Sequence, residues 1–347
     1  MQENRVRRYR ALNHVQGLPF DPPRWGERPR LRDKQTLTEG KGTTVAVLDS
    51  GVSDHEWLRG SFAEDPLPDE ARGLWDLSAT ALPRHVGHGT FVCGVVLQYA
   101  PAARLLPRRV LDFGGDAEDD QLAGTIRGLI AADPDVVNLS LGPTPVDQPG
   151  ESDEGIAQTV KALEKLQHAC GTVVVAAAGH VDEEMPAERI APPGPLSLVV
   201  GALDLSGQPA WFSGKQPVTI WAPGTDILSS FVYFPGPVAL DHPAAHDHSD
   251  DHAHPHSHDP SDAPVPAQQP LAPFEGWARW NGTSFAAPAV AGALAAQIGA
   301  LAMAEPEAPR RELRQRAVEL VLGRARKLAD GPALNATPVA LMGPPAS

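Results

Sequence analysis

Cysteine is nearly absent from this chain, whose 347 residues include only Cys93 and Cys170. Both lie in stretches with a helical pattern, so we expect buried free thiols, no structural disulfide and compatibility with a reducing compartment. No uninterrupted run of 18 apolar residues is present, and the basic N-terminus lacks the apolar core of a secretory signal. These absences predict a cytoplasmic protein with no membrane partner.

Positive charge is also scarce. The chain has 29 Lys and Arg against 43 Asp and Glu, a formal net charge of -14. This balance argues against nucleic acid as a partner and mildly favours neutral or basic peptides. A cluster near the N-terminus departs from it, and we expect a solvated arm there, with a binding patch as the alternative. The cluster comprises Arg5, Arg7, Arg8 and Arg10.

The distribution of proline and apolar residues divides the chain. Residues 1–40 are rich in Arg and Pro, which predicts an extended arm. Over residues 41–342, short apolar runs alternate with helical patterns, and this predicts one α/β domain with a mostly parallel central sheet and helices on both faces. Residues 343–347 are a tail. The predicted strands are 43–48, 104–106, 135–139, 172–177, 198–201 and 219–221, and the predicted helices are 89–99, 118–132, 155–169, 284–301 and 307–322.

A segment at residues 231–276 interrupts the alternation. It holds nine prolines, seven histidines, seven acids and no Lys or Arg, a composition that cannot supply a packed core, so we predict a disordered surface insertion. Its histidines suit Zn or Ni, but their spacing defines no closed site. Incidental metal affinity and a functional metal- or pH-responsive element both stay open. The candidate ligands are His246, His248, His252, His254, His256 and His258.

Three short motifs carry candidate chemistry. Asp49 ends an apolar strand and would emerge at the carboxyl edge of a parallel sheet, where open α/β folds place their sites. His88 lies between two glycines before an apolar helix, and Ser284 lies in a small-residue turn that opens another. Each residue alone has a plain structural explanation, such as a turn or a helix cap. A nucleophilic serine needs a base and a carboxylate that orients the base, and the three residues together supply this set.

These motifs, in this order, resemble the subtilisin-like serine proteases. The matching blocks are Val-Leu-Asp-Ser-Gly around Asp49, His-Gly-Thr at His88 and Gly-Thr-Ser-Phe-Ala-Ala-Pro around Ser284. The resemblance covers about residues 41–342 apart from the insertion. It implies a three-layer subtilisin-like fold and a serine endopeptidase: Ser284 attacks the peptide carbonyl, His88 transfers the proton and Asp49 holds the imidazole. No metal is required for this chemistry.

The resemblance also implies a cleft for an extended peptide. Residues 137–142 look like the family's substrate-binding edge strand, and residues 174–179 look like the opposite wall. Both stretches fit core strands followed by turns equally well, and both interpretations can hold. A substrate would pair with the backbone between the walls. The substrate-binding candidates are Ser140, Leu141, Gly142, Ala177, Ala178 and Gly179.

One position departs from the family pattern. Where relatives usually carry an asparagine that donates to the oxyanion, this chain has His180, with the backbone N–H of Ser284 as the second donor. Loss of one such donor costs about 100- to 1000-fold in turnover. An imidazole can donate instead. The alternatives are a weakened or conditionally active enzyme with His180 turned away, a compensating donor elsewhere, and an idle relative that only binds peptides.

The sequence gives one weak indication of cleavage specificity. Asp182, Glu183 and Glu184 follow the oxyanion position and would favour Lys or Arg next to the cut bond if they rimmed the side-chain pocket. A solvated acidic loop is the preferred interpretation.

Two function classes stay open. The first is an active endopeptidase for peptide maturation or a partner-specific cut, with residues 31–40 as a candidate inhibitory segment in the cleft. The second is a weakly active or inactive pseudoprotease that serves as a peptide-binding or metal-responsive regulatory subunit. The complete set Asp49, His88 and Ser284 favours the first, because an idle protein has no chemical need for all three. The expected partners are an extended peptide or protein substrate and an activating or regulatory protein.

Overall fold

The computed structural model describes residues 8–11, 23–64, 85–112, 115–143, 157–179, 194–214, 217–234, 274–329 and 331–341. The α-helices in these ranges are α1 (His88–Tyr99), α2 (Asp119–Ala132), α3 (Ala157–Cys170), α4 (Thr283–Ala304) and α5 (Arg310–Gly323). The strands are β1 (Arg8–Ala11), β2 (Arg24–Trp25), β3 (Thr44–Asp49), β4 (Arg104–Arg109), β5 (Asp116–Glu118), β6 (Val136–Leu139), β7 (Leu141–Pro143), β8 (Val173–Ala177), β9 (Ser197–Leu203), β10 (Ile220–Pro223), β11 (Ile227–Phe234), β12 (Phe274–Trp280), β13 (Arg326–Leu328) and β14 (Gly331–Ala333).

The centre of the protein is an eight-stranded sheet with the order β13-β14-β10-β9-β8-β6-β3-β4. Pairing is parallel from β4 through to β14, and β13 joins β14 antiparallel. Its inner strands are continuous apolar runs because helices cover both faces. The predicted α/β fold class is confirmed, although several strands extend beyond their predicted ends.

Alternate side chains of β3 separate two hydrophobic cores. Val45 and Val47 belong to the core that contains α1 and α4, whereas Ala46 and Leu48 belong to the core that contains α2 and α3. Successive residues of a strand point to opposite faces of its sheet. The apolar run of β3 therefore packs against the helices on both faces of the sheet, and Asp49 lies at the end of this run, at the carboxyl edge of the sheet.

Helix α4 runs through the first core. By length and apolar composition it could cross a membrane, but 78% of its most apolar window is buried inside the protein. Gly292 lets α1 approach closely, because a Cβ there would lie 2.7 Å from the carbonyl oxygen of Val96. The prediction of a helix through the protein core is confirmed.

The predicted insertion is shorter than its composition suggested. Residues 231–234 end β11 and residues 274–276 begin β12, and the two strands pair antiparallel. Phe231, Phe234 and Phe274 are buried, which removes their apolar rings from water. The boundaries 231 and 276 were therefore wrong, and residues 235–273, with every candidate metal-ligating histidine, lie outside the described residues.

The described part of the N-terminal arm contains regular structure. Strand β2 pairs with β12, and Lys34–Thr36 form a short 3-10 helix. Leu37 is buried in the first core, and Leu31 forms a β-bridge with Leu341. The suggestion that residues 31–40 occupy the cleft is therefore wrong, because these side chains pack onto the body of the domain.

Candidate active site

Asp49 lies at the carboxyl end of β3, with 1% of its surface exposed. Its Oδ1 accepts a hydrogen bond from the backbone N–H of Ser50 at 2.7 Å. The hydroxyl of Ser50 in turn accepts from the backbone N–H of Gly89 at 3.0 Å. These bonds join the end of β3 to the start of α1 and fix the direction of the carboxylate.

His88 is the first residue of α1 and is fully buried. Its Nδ1 lies 2.8 Å from Asp49 Oδ1. Because an ionised carboxylate can only accept, Nδ1 carries the proton, and Nε2 of the neutral ring is an acceptor. A Cβ at Gly89 would lie 2.2 Å from the carbonyl oxygen of Gly51, so glycine is needed for this close approach. The structure thus brings the predicted base and its orienting carboxylate together.

Ser284 lies in the first turn of α4, where backbone N–H groups have no acceptor within the helix. The next residue, Phe285, packs against the His88 ring with centroids 5.3 Å apart. The Ser284 hydroxyl donates to the carbonyl oxygen of Ser140 at 3.0 Å. Among the described residues, Nε2 of His88 has no hydrogen-bond partner. The start of the helix that holds Ser284 therefore packs beside the base, but the serine hydroxyl donates to Ser140.

Both predicted walls flank this serine. Ser140 joins β6 to β7, and its hydroxyl donates to the carbonyl oxygen of Ser284 at 2.7 Å. Ala177 ends β8, and Gly179 follows with a φ of 83° that favours glycine. The Thr283 hydroxyl donates to the carbonyl oxygen of Gly179 at 3.4 Å. The start of α4 is thus tied to both walls. Leu141, Gly142 and Ala178 are buried beside them.

The model of the subtilase family matches residues 40–335. The chain belongs to the subtilase family. Subtilisin amylosacchariticus of Bacillus subtilis subsp. amylosacchariticus is 31% identical over 206 residues, which are 55% of this chain and 49% of that protein. An intracellular serine protease of Paenibacillus polymyxa is 28% identical over 212 residues, 56% of this chain and 60% of that protein. This subtilase spans about half the length of subtilisin amylosacchariticus.

Two solved structures share the fold of this subtilase. A mutant of the protease domain of PatA aligns with a TM-score of 0.55 and 21% identity, over 86% of this chain and 94% of that one. A lanthipeptide protease aligns with a TM-score of 0.60 and 19% identity, over 84% of this chain and 85% of that one. The predicted subtilisin-like architecture is confirmed.

A strand that sequence reasoning missed lies beside β7 of the subtilase. Strand β1 lies between β5 and β7 and is antiparallel to both. Ala11 faces Leu141, and Arg10 faces Gly142, on the strand predicted to bind substrate. Residues Arg8–Ala11 lie before the prolines of the arm. The only sign of a strand in the sequence was that this stretch contains neither Pro nor Gly.

Some of the predicted site residues of the subtilase cannot be compared with the structure, because His180 and the acidic residues 182–184 lie outside the described residues. Within the described ranges, no group of three or more His, Cys, Asp or Glu is placed to hold a metal ion. Cys93 and Cys170 are free thiols; Cys93 is buried as predicted, whereas Cys170 is only half-buried. Burial, with the nearby Asp49 carboxylate, raises the pKa of the Cys93 thiol well above its usual range, so that thiol does not compete as a nucleophile.

Proposed function

We propose that the protein is a serine endopeptidase that hydrolyses peptide bonds through Asp49, His88 and Ser284. The observation that carries the proposal is the buried 2.8 Å contact between Asp49 Oδ1 and His88 Nδ1, beside the helix start that holds Ser284. This contact keeps the acceptor nitrogen of the ring available for the serine proton. Membership of the subtilase family supports the same assignment.

The proposed reaction begins when the Ser284 hydroxyl turns from Ser140 to Nε2 of His88. Its oxygen attacks the substrate carbonyl carbon while His88 takes the proton, and Asp49 stabilises the resulting imidazolium. The backbone N–H of Ser284 and His180 are the proposed oxyanion donors. Collapse of the tetrahedral intermediate breaks the C–N bond, and His88 returns the proton to the leaving amine. Water then attacks the acyl-serine ester while His88 takes a proton from it. His88 gives this proton to the Ser284 oxygen as the ester bond breaks, which releases the acid product and restores the enzyme.

The pairing of β1 with β7 supports two further points: the substrate is an extended peptide, and access of the substrate is regulated. Strand β1 already pairs with β7, so an incoming peptide has to displace it. Asp49, His88 and Ser284 are all almost completely buried, which fits a closed resting state. We therefore propose a processing or partner-specific protease of the cytoplasm whose cleft opens when a substrate or a regulatory protein removes β1.

One observation favours the second function, a peptide-binding pseudoprotease. In the structure the Ser284 hydroxyl donates to the Ser140 carbonyl, and no described group forms a hydrogen bond with Nε2 of His88. If this arrangement persisted when peptide binds, the protein would hold peptides without cutting them.

A fluorophosphonate probe, which reacts with activated serines, separates the two functions. We expect the full chain to be labelled, Ser284→Ala to be unlabelled, and the exposed-turn control Ser206→Ala to be labelled like the wild type. Mass spectrometry of the labelled protein should locate the adduct on Ser284. Persistent labelling of Ser284→Ala would place the nucleophile elsewhere, and an unlabelled wild type that still binds peptide would favour the pseudoprotease.

A further inference from the structure

Strand β5 pairs with β1 on the side opposite β7, and Asp116 and Glu118 are its two acidic residues. In the antiparallel register of β1 and β5, Arg10 lies opposite Asp116 and Arg8 lies opposite Glu118. Both acids of β5 thus lie, in the backbone register, opposite positions of β1 at which the sequence has arginine. The register identifies the two positions of a strand in this place that lie opposite the acids of β5.

Most charged side chains that the structure describes next to β5 are acidic. A cavity of about 400 Å³ lies against the strand, and its described lining includes Asp112, Asp116 and Glu118 together with Arg109. Asp116 and Glu118 are half-buried, whereas Ala117 between them is buried. Residues two apart share one face of a strand, so the two carboxylates lie on the same face of β5.

We propose that Asp116 and Glu118 are specificity-determining residues that select peptide strands with Arg or Lys at the two positions opposite them. This inference rests on the proposed function. Opposite charges that face each other across two strands attract, and like charges in the same place repel. The sequence of β1 has arginine at both of these register positions and therefore resembles the proposed substrate.

The register also sets where these positions fall relative to the cut bond. The Ser140 carbonyl binds the nucleophile's proton, and Leu141 beside it faces Ala11. In a substrate of the same register, the residue after the Ala11 position meets the nucleophile. The preferred basic residues are therefore the third and fifth on the amino side of the cut bond. These positions differ from the residue next to the cut bond, for which Asp182, Glu183 and Glu184 are the candidate partners.

The test uses quenched fluorescent peptides of the sequence Arg-Tyr-Arg-Ala-Leu-Asn-His-Val and two versions in which one Arg is replaced by Gln. The full chain is compared with Asp116→Asn, Glu118→Gln and the control Asp120→Asn, an exposed acid of α2. We expect kcat/KM to favour Arg about two- to fivefold at each position in the wild type and the control. The ratio of kcat/KM between two peptides, measured on one enzyme, does not depend on competition by β1, because β1 lowers kcat/KM for both peptides by the same factor.

The expected pattern is crossed. Asp116→Asn should abolish the preference at the third position and keep that at the fifth, and Glu118→Gln should do the reverse. Salt of about 1 M should weaken both preferences, because it screens exposed charges. General damage to the fold would not give this pattern. Equal kcat/KM for the Arg and Gln peptides in the wild type, or preferences that survive in both variants, would overturn the proposal.

Binding of the same peptides to full-length Ser284→Ala, followed by fluorescence anisotropy, separates failure of specificity from failure of catalysis. If no peptide is cut but Arg peptides bind more tightly by the same factor, the specificity stands and the endopeptidase function fails. If peptides are cut without preference, only the specificity fails. Equal affinities, or no binding by any peptide, overturn the specificity.

Discussion

Ser140 and Ser284 exchange two hydrogen bonds. The Ser284 hydroxyl donates to the Ser140 carbonyl at 3.0 Å, and the Ser140 hydroxyl donates to the Ser284 carbonyl at 2.7 Å. The first bond holds the reactive proton in the resting state, whereas the second joins the backbone of the nucleophile to the edge strand. Because these bonds have different roles, a substitution can separate them.

We predict that Ser140→Ala lowers kcat by roughly 100-fold with a smaller change in KM, because small displacements of a reacting group are costly. The change removes the bond to the Ser284 carbonyl and deprives the Asn138 side-chain N–H₂ of its acceptor at 2.9 Å. The free energy of unfolding should fall by about 1–3 kcal/mol. Steady-state kinetics and urea unfolding give both quantities. A destabilised variant with unchanged kcat would show that Ser140 does not position Ser284.

Deletion of residues 1–22 should raise kcat/KM for peptide substrates about tenfold or more. It removes β1, which as a tethered segment competes with substrate at an effective concentration of about 1 mM. A synthetic peptide of residues 6–15 should inhibit the shortened chain, and a scrambled peptide should not. Equal melting temperatures would establish that the domain is intact. If activity is unchanged by deletion, β1 does not block the cleft.

His180 supplies a prediction from sequence alone. If its ring donates to the oxyanion, His180→Ala should lower turnover about 100- to 1000-fold. His180→Asn restores the donor that is usual in the family and should retain or raise turnover. KM should change little in both variants, since the donor acts mainly in the transition state. Equal kcat in the wild type and both variants would contradict this role.

The sequence was sufficient for six of the eight strands of the central sheet, because buried parallel strands are continuous apolar runs that a local pattern reveals. Strands β13 and β14 were missed because each is only three residues long and largely outside the buried core. It also singled out Asp49 and His88, which the structure brings to 2.8 Å from each other, and Ser284 at the start of α4. Their small neighbours allow close backbone approach, as at Gly89. Strand β5 was missed because Asp-Ala-Glu is short and polar. Its pairing with β1 joins segments more than 100 residues apart, and no local pattern encodes such a contact.

His55 is buried beside the rings of Tyr233 and Trp277. Its Nδ1 accepts from the backbone N–H of Trp57 at 3.1 Å, and its Nε2 donates to the carbonyl oxygen of Gly276 at 2.7 Å. The neutral ring is therefore fully paired. Burial lowers the pKa of His55 from its ordinary value of 6.5 to about 4.

This shift predicts acid sensitivity of the fold. Between pH 6.5 and 4 the unfolded chain binds a proton at His55 that the folded protein does not, so stability is complete above pH 6.5 and falls as the pH is lowered towards 4. The loss should approach about 3 kcal/mol. Gln does not titrate, so the His55→Gln variant should not show this loss. The difference in free energy of unfolding between the wild type and the variant should therefore be smaller at pH 4 than at pH 7 by about 3 kcal/mol. Urea unfolding at several pH values measures both curves, and parallel curves would rule out His55 as the source.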